Sequence, residues 1–206
     1  MATLQSKLRI GPADHGRRMS LKRFEPAAVE ETHVYELARG IIVVSEVPAF
    51  AHLRQVSAIR RPLMLYQAAY PETIYEILGT MECKLLVWEF ESERHPDLAI
   101  YLNPPPVRKG RRMWSRWIPG LVVEVVSRSS VDRDYVEKRE EYWSLGVKEY
   151  WIVDAERGQV IVLRRGRNQW IQKVLKRGDA LESKLLPGFR LGCADVFDAA
   201  GELDSE

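Results

Sequence analysis

The chain has 206 residues, 46% hydrophobic and 29% charged, a composition that suits one packed globular domain and excludes a disordered or fibrous chain. Its formal charge of +2 excludes a surface that attracts polyanions everywhere, so nucleic-acid binding would need local clustering of the 31 lysines and arginines. Cys83 and Cys193 stand in apolar surroundings and read as buried thiols, and no signal peptide or spanning helix is present, which predicts a cytoplasmic protein without membrane contact.

Residues 1–18 lack periodicity and predict a flexible N-terminal arm. Ser20 looks like the cap of a short helix through Leu21, Lys22 and Arg23. Tyr35 to Ser45 alternates around Gly40 and predicts a β-hairpin. From about Ala49 to Leu78 the apolar spacing favours helix, interrupted at Pro62 and Pro71. Cys83 to Phe90 reads as a strand, and two further apolar stretches follow, one opening at Asp97 and one running from Gly120 to Val126.

Between those stretches lies a basic, proline-rich connection from Asn103 to Pro119. The clearest helix covers Val131 to Leu145, with Ser129 and Asp132 as a near capping box and Gly146 at the left-handed position that closes it. Strands are expected at Glu149–Val153, Val160–Arg164 and Trp170–Val174, the first two joined by a turn ending at Gly158. Mixed strands and helices predict an α/β or α+β fold of one domain over 19–198, followed by a short acidic tail, 199–206.

Asp97 and Glu124 stand out because each belongs to an apolar, strand-like stretch. A carboxylate taken out of water must be paired, hydrogen-bonded or bound to a metal. If the two strands are neighbours, both acids reach one ion, and oxygen ligands of this kind suit Mg²⁺ or Mn²⁺. Asp134, Lys138 and Tyr142 share one face of the following helix. Taken by itself, Lys138 is half of a surface pair with Asp134, and Asp97 is a turn aspartate.

Pro96-Asp97, the run from Gly120 to Ser127 around Glu124, Asp134 with Lys138, and Gly146 to Asp154 together resemble the Uma2 family (DUF820), within the PD-(D/E)XK nuclease superfamily. Tyr35 to Gly40 and His52 resemble the family's opening segment, and the likeness spans roughly residues 19 to 198. It implies a restriction-endonuclease-like mixed central β-sheet flanked by helices. It further implies a metal-dependent endonuclease that hydrolyses phosphodiester bonds of DNA by metal-activated water. Asp97 and Glu124 would hold Mg²⁺ or Mn²⁺, and Glu36, Asp134 and Tyr142 would support them. The superfamily's Glu-x-Lys is absent, since Val126 stands where the lysine would be, and Lys138 matches a position to which that lysine has migrated.

Arg108, Lys109, Arg111, Arg112 and Arg116 surround Trp114 and Trp117, a mixture of phosphate-attracting charge and stacking surface that suits a nucleic-acid contact loop. A solvated loop whose tryptophans cover the core is the alternative. Arg17, Arg18, Lys22 and Arg23 form a second basic cluster. His52 reads as a surface or capping histidine, with the border of the cleft as its alternative place, Ser127 as a helix-entry hydrogen-bonding residue, and Tyr150 and Trp151 as core. Two other functions stay open: a catalytically inactive nuclease fold acting as a nucleic-acid-binding or interaction module, and a hydrolase of a small phosphorylated molecule. A homodimer would suit cutting of both DNA strands.

Overall fold

The computed structural model describes residues 8–106, 111–128 and 130–201, and of Arg111 and Arg112 only the backbone. Strands β1 (Arg9–Ile10) and β2 (Ala28–Val29) pair in parallel on either side of the short helix α1 (Leu21–Phe24). The described part of the expected arm is therefore packed. Ile10 is buried beside Leu21 and Phe24, and Gly16 N–H donates to the Ile42 carbonyl at 2.8 Å. A single buried isoleucine leaves no period in the sequence to announce this.

Strands β3 (Val34–Ala38) and β4 (Ile41–Ser45) form the expected hairpin. Arg39 and Gly40 at its tip have φ of 50° and 77°, the positive values that a tight two-residue turn needs. Helix α2 (Phe50–Ala69) runs through Pro62 without a break and stops at Tyr70, before Pro71. The expected interruption at Pro62 does not occur, because Ile59, Leu63 and Tyr66 are buried on both sides of it and hold the helix to the sheet. After Pro71 the chain forms strand β5 (Glu76–Gly79), where helix was expected; pairing with a later strand decides it, beginning with Tyr75 N–H to the Tyr101 carbonyl at 2.8 Å.

Strand β6 (Leu85–Val87) is shorter than the sequence suggests. Trp88–Phe90 turns as a 3₁₀ helix and returns the chain antiparallel as β7 (Ser92–Arg94). Strand β8 (Leu98–Tyr101), helix α3 (Arg111–Trp114) and strand β9 (Leu121–Val125) follow. A π-helical turn at Arg133–Glu137 then leads into α4 (Lys138–Leu145), which Gly146 closes with φ of 91°. Strands β10 (Glu149–Asp154), β11 (Gln159–Arg165) and β12 (Trp170–Lys176) lie where the sequence placed them. The last described elements are a hairpin of β13 (Ala180–Glu182) and β14 (Arg190–Gly192) and helix α5 (Cys193–Asp198).

The main sheet has the order β12-β11-β10-β9-β8-β5 and is mixed, with β9 and β10 parallel and the other neighbours antiparallel. A second sheet has the order β4-β3-β7-β6. Alternation along the central strands assigns their faces. Leu121, Val123, Trp151 and Val153 pack with α2 and the C-terminal segment, whereas Val122, Tyr150 and Ile152 pack with Tyr142 of α4. Burial on both faces is why these strands read as nearly continuous apolar runs. Cys83 and Cys193 are buried free thiols, and among the described residues no helix is long and apolar enough to cross a membrane.

One side chain ties the second sheet to α4. Arg94 is fully buried, with Nε and Nη2 at 2.7 and 2.9 Å from the two oxygens of Glu141 and Nη2 at 2.8 Å from Glu137. Ser92 adds a hydrogen bond to Glu141 at 3.0 Å. Arg94→Met strands the buried Glu141 carboxylate and is expected to cost roughly 3–5 kcal/mol. Arg94→Met with Glu141→Leu should recover most of that loss in urea unfolding midpoints. Equal losses in the single and double variants would contradict the role given to this pair.

Candidate active site

The register of β8 and β9 pairs Leu98 with Val123, so Asp97 and Glu124 are the next residues at the same end of the two strands. Glu124 has the parity of Val122, and both acids accordingly belong to the α4 face. Asp97 is held from two sides: its Oδ2 accepts the Val125 N–H at 2.7 Å, and its Oδ1 lies 3.0 Å from His52 Nε2 on α2. Glu124 is only 3% exposed; its Oε1 accepts the Tyr142 hydroxyl at 2.5 Å, and its Oε2 lies 3.0 Å from Lys138 Nζ.

Lys138 reaches Asp134 Oδ1 as well, at 2.9 Å. Asp134 in turn accepts the Ser130 hydroxyl through Oδ2 at 2.5 Å, and its backbone carbonyl accepts the Tyr150 hydroxyl at 2.9 Å. The helical segment carrying these residues is locally widened, with Lys138 N–H bonded to the Arg133 carbonyl. Such π-turns replace the usual helical step and recur at functional sites. Glu36 approaches from β3, accepting the His95 N–H at 2.9 Å and lying 3.5 Å from Arg94 Nη1.

Charge is tightly balanced here. Burial pushes the Glu124 carboxyl up, Asp134, Asp97 and Glu36 add to that push, and Lys138 opposes it, leaving the carboxyl well above the ordinary range. Burial works against the Lys138 ammonium, but Asp134, Glu124 and Glu36 overcome it and hold the proton more firmly than usual. Burial also works against the Glu36 anion, yet Lys138, Arg94 and the His95 amide bring its pKa down to about 2. For His52, hydrogen bonding and charge from Asp97 outweigh burial and raise the imidazole.

Asp97, Glu124, Asp134, Lys138 and Glu36 therefore line one cleft of about 470 Å³, and Tyr142 lies directly beneath it against Glu124. His52, for which the sequence favours a surface or capping role and leaves the cleft border as the alternative, lines the cleft. Arg94, which reaches Glu36, has no sequence signal beyond its place just before Pro96-Asp97, because its contacts depend on strand pairing between distant segments. Ser127 has the expected helix-entry contact, its N–H donating to Ser130 Oγ at 2.9 Å.

The basic loop lies elsewhere. It joins the end of β8 to the start of β9, the ends away from Asp97 and Glu124. Arg108 and Lys109 fall outside the described residues, as do the side chains of Arg111 and Arg112 and the capping residue Ser129. Arg116 is exposed, and Trp114 packs partly buried against Trp117. Trp117 is committed to the core, stacked on Tyr101 at 3.9 Å and donating its Nε1–H to the Asn103 carbonyl at 2.8 Å.

Among the described residues, no three His, Cys, Asp or Glu side chains are grouped to hold a metal ion. Two carboxylates, from Asp97 and Glu124, are what the arrangement offers. Mg²⁺ commonly binds proteins through one or two carboxylates while keeping several waters, so this donor set fits it better than zinc.

A family model described as "Putative restriction endonuclease", Uma2, matches residues 21–195. Among solved structures, a "putative nuclease belonging to DUF820" from Anabaena variabilis has a similar fold, with a TM-score of 0.69 and 14% sequence identity. The similarity covers 88% of this chain and 99% of that one. No curated protein matches the chain.

Glu36 gives a pH test with a definite sign. Its pKa falls from 4.5 to about 2 on folding, so its ionised form stabilises the fold above pH 4.5 and that stabilisation is lost as pH falls toward 2. The shift corresponds to on the order of 3 kcal/mol. Unfolding midpoints of the wild type should drop more steeply than those of Glu36→Gln between those pH values. Parallel curves for the two proteins would refute the assignment.

Proposed function

The chain belongs to the Uma2 family, and from that premise we propose that it is a divalent-metal-dependent endonuclease that hydrolyses phosphodiester bonds of DNA. The observation that carries this reading is the Lys138 ammonium held between Glu124 and Asp134 in a cleft that Asp97 also lines. Asp97 and Glu124 would hold Mg²⁺ or Mn²⁺. When bound, such an ion supplies positive charge to a nonbridging phosphate oxygen and lowers the pKa of a water molecule.

The chain's own groups do the rest. Lys138 keeps its proton against its acid neighbours and so serves as a hydrogen-bond donor and fixed positive charge for the phosphate, not as a base. Asp134 orients that ammonium, and the Ser130 hydroxyl orients Asp134. Tyr142 fixes one oxygen of Glu124, His52 stands against Asp97, and Glu36 adds negative charge behind Lys138. Arg116 and its basic neighbours in the loop would contact the DNA backbone outside the cleft, and a homodimer would supply the two centres needed to cut both strands.

One observation favours the second reading, an inactive nuclease fold that binds nucleic acid. Both oxygens of Glu124 already have protein partners, Tyr142 and Lys138. Cleavage assays with Mg²⁺ and Mn²⁺ separate the two. The nuclease reading expects cleavage by the wild type and a loss of at least about a hundredfold in Glu124→Gln and in Lys138→Ala, each still folded by circular dichroism. Binding of DNA without cutting under either metal would favour the inactive fold, and retained cleavage by Glu124→Gln would remove the site assignment.

A further inference from the structure

Lys138 is committed to two carboxylates, but a second cation of the same cleft is not. Arg133 lines the cleft one residue before Asp134. Among the described residues its side chain has no ion pair, and its Nε is buried without a hydrogen-bond partner. Neighbouring arginines differ: Arg128 meets Glu156 at 2.6 Å, Arg157 meets Asp154 at 3.0 Å, and Arg139 meets Gln172 at 3.1 Å.

A guanidinium N–H withdrawn from water without an acceptor is costly, so its persistence in a cleft points to an acceptor that arrives with a ligand. The chemistry of that ligand follows from the surroundings. Glu36, Glu46, Asp97, Glu124 and Asp134 line the same space, and none of them neutralises Arg133. The planar fork of arginine matches the paired oxygens of a phosphodiester, and the cleft is within the size range of sites for small ligands or single nucleotide units.

We propose that Arg133 binds nonbridging oxygens of the DNA phosphodiester in the cleft that Lys138 also lines. The inference rests on the nuclease reading and adds, beside the Lys138 ammonium that two acids already hold, a second positive donor for the phosphate. The π-turn contributes to the placement, because the Arg133 carbonyl that accepts the Lys138 N–H sets the backbone of the two cations relative to one another.

Fluorescence anisotropy of a labelled mixed-sequence DNA duplex, titrated in Ca²⁺ over a range of salt concentrations, tests it. Arg133→Gln is expected to weaken binding about tenfold and to lower the slope of log affinity against log salt by about one. Arg133→Lys should restore the slope while recovering only part of the affinity. Mn²⁺ binding measured by calorimetry should be the same in all three proteins. Wild-type affinity and slope in Arg133→Gln would overturn the inference alone, as would a parallel loss of Mn²⁺ affinity. Failure of the wild type to bind DNA would overturn the nuclease reading along with it.

Discussion

The ion pair that holds Lys138 between Glu124 and Asp134 is the constraint on which the rest of the site depends. Buried ions are tolerated only when charge and hydrogen bonds compensate for lost hydration. Glu36, Asp97, Glu124 and Asp134 bring four carboxylates to one small region, and the one ammonium among them cannot balance all four. Arg94 takes part of the excess through Glu36, while burial first and the neighbouring acids after it push the Glu124 carboxyl up.

The fold meets this demand with ordinary devices. Antiparallel pairing of β8 with β9 brings Asp97 beside Glu124, and strand alternation puts both on the face that α4 covers. The widened helical turn sets Asp134 and Lys138 on that face, and Tyr142 and Tyr150 fasten the helix to the sheet through Glu124 and the Asp134 carbonyl. From the other side, Arg94 binds two acids of the same helical segment, Glu137 and Glu141, so the second sheet helps fix where Lys138 stands. Stability and site geometry are thus supported by overlapping contacts.

Much of this was legible because it is local. The apolar run around Glu124, the hairpin at Gly40, the helix stop at Gly146 and the three strands after it all announce themselves by spacing and turn chemistry. The rest depends on contacts between distant segments. Apolar residues after Pro71 fit helix and strand alike until β8 is available to pair with them. Pro62 resembles a helix breaker until the buried faces of α2 outweigh it. Ile10 gives no period, and Arg94 and His52 gain meaning only when β3, α2 and α4 converge. The basic loop announces itself by composition, and its place at the end of β8 and β9 away from the acids comes only from the topology.

The central claim is that Asp97 and Glu124 hold one divalent ion beside Lys138. A crystal soaked in Mn²⁺ and measured at the manganese absorption edge tests it directly. The account predicts an anomalous peak within coordination distance of carboxylate oxygens from both residues, with Lys138 Nζ close by. A crystal in which that position stays empty while the three side chains keep their ion pair and hydrogen bonds would contradict it.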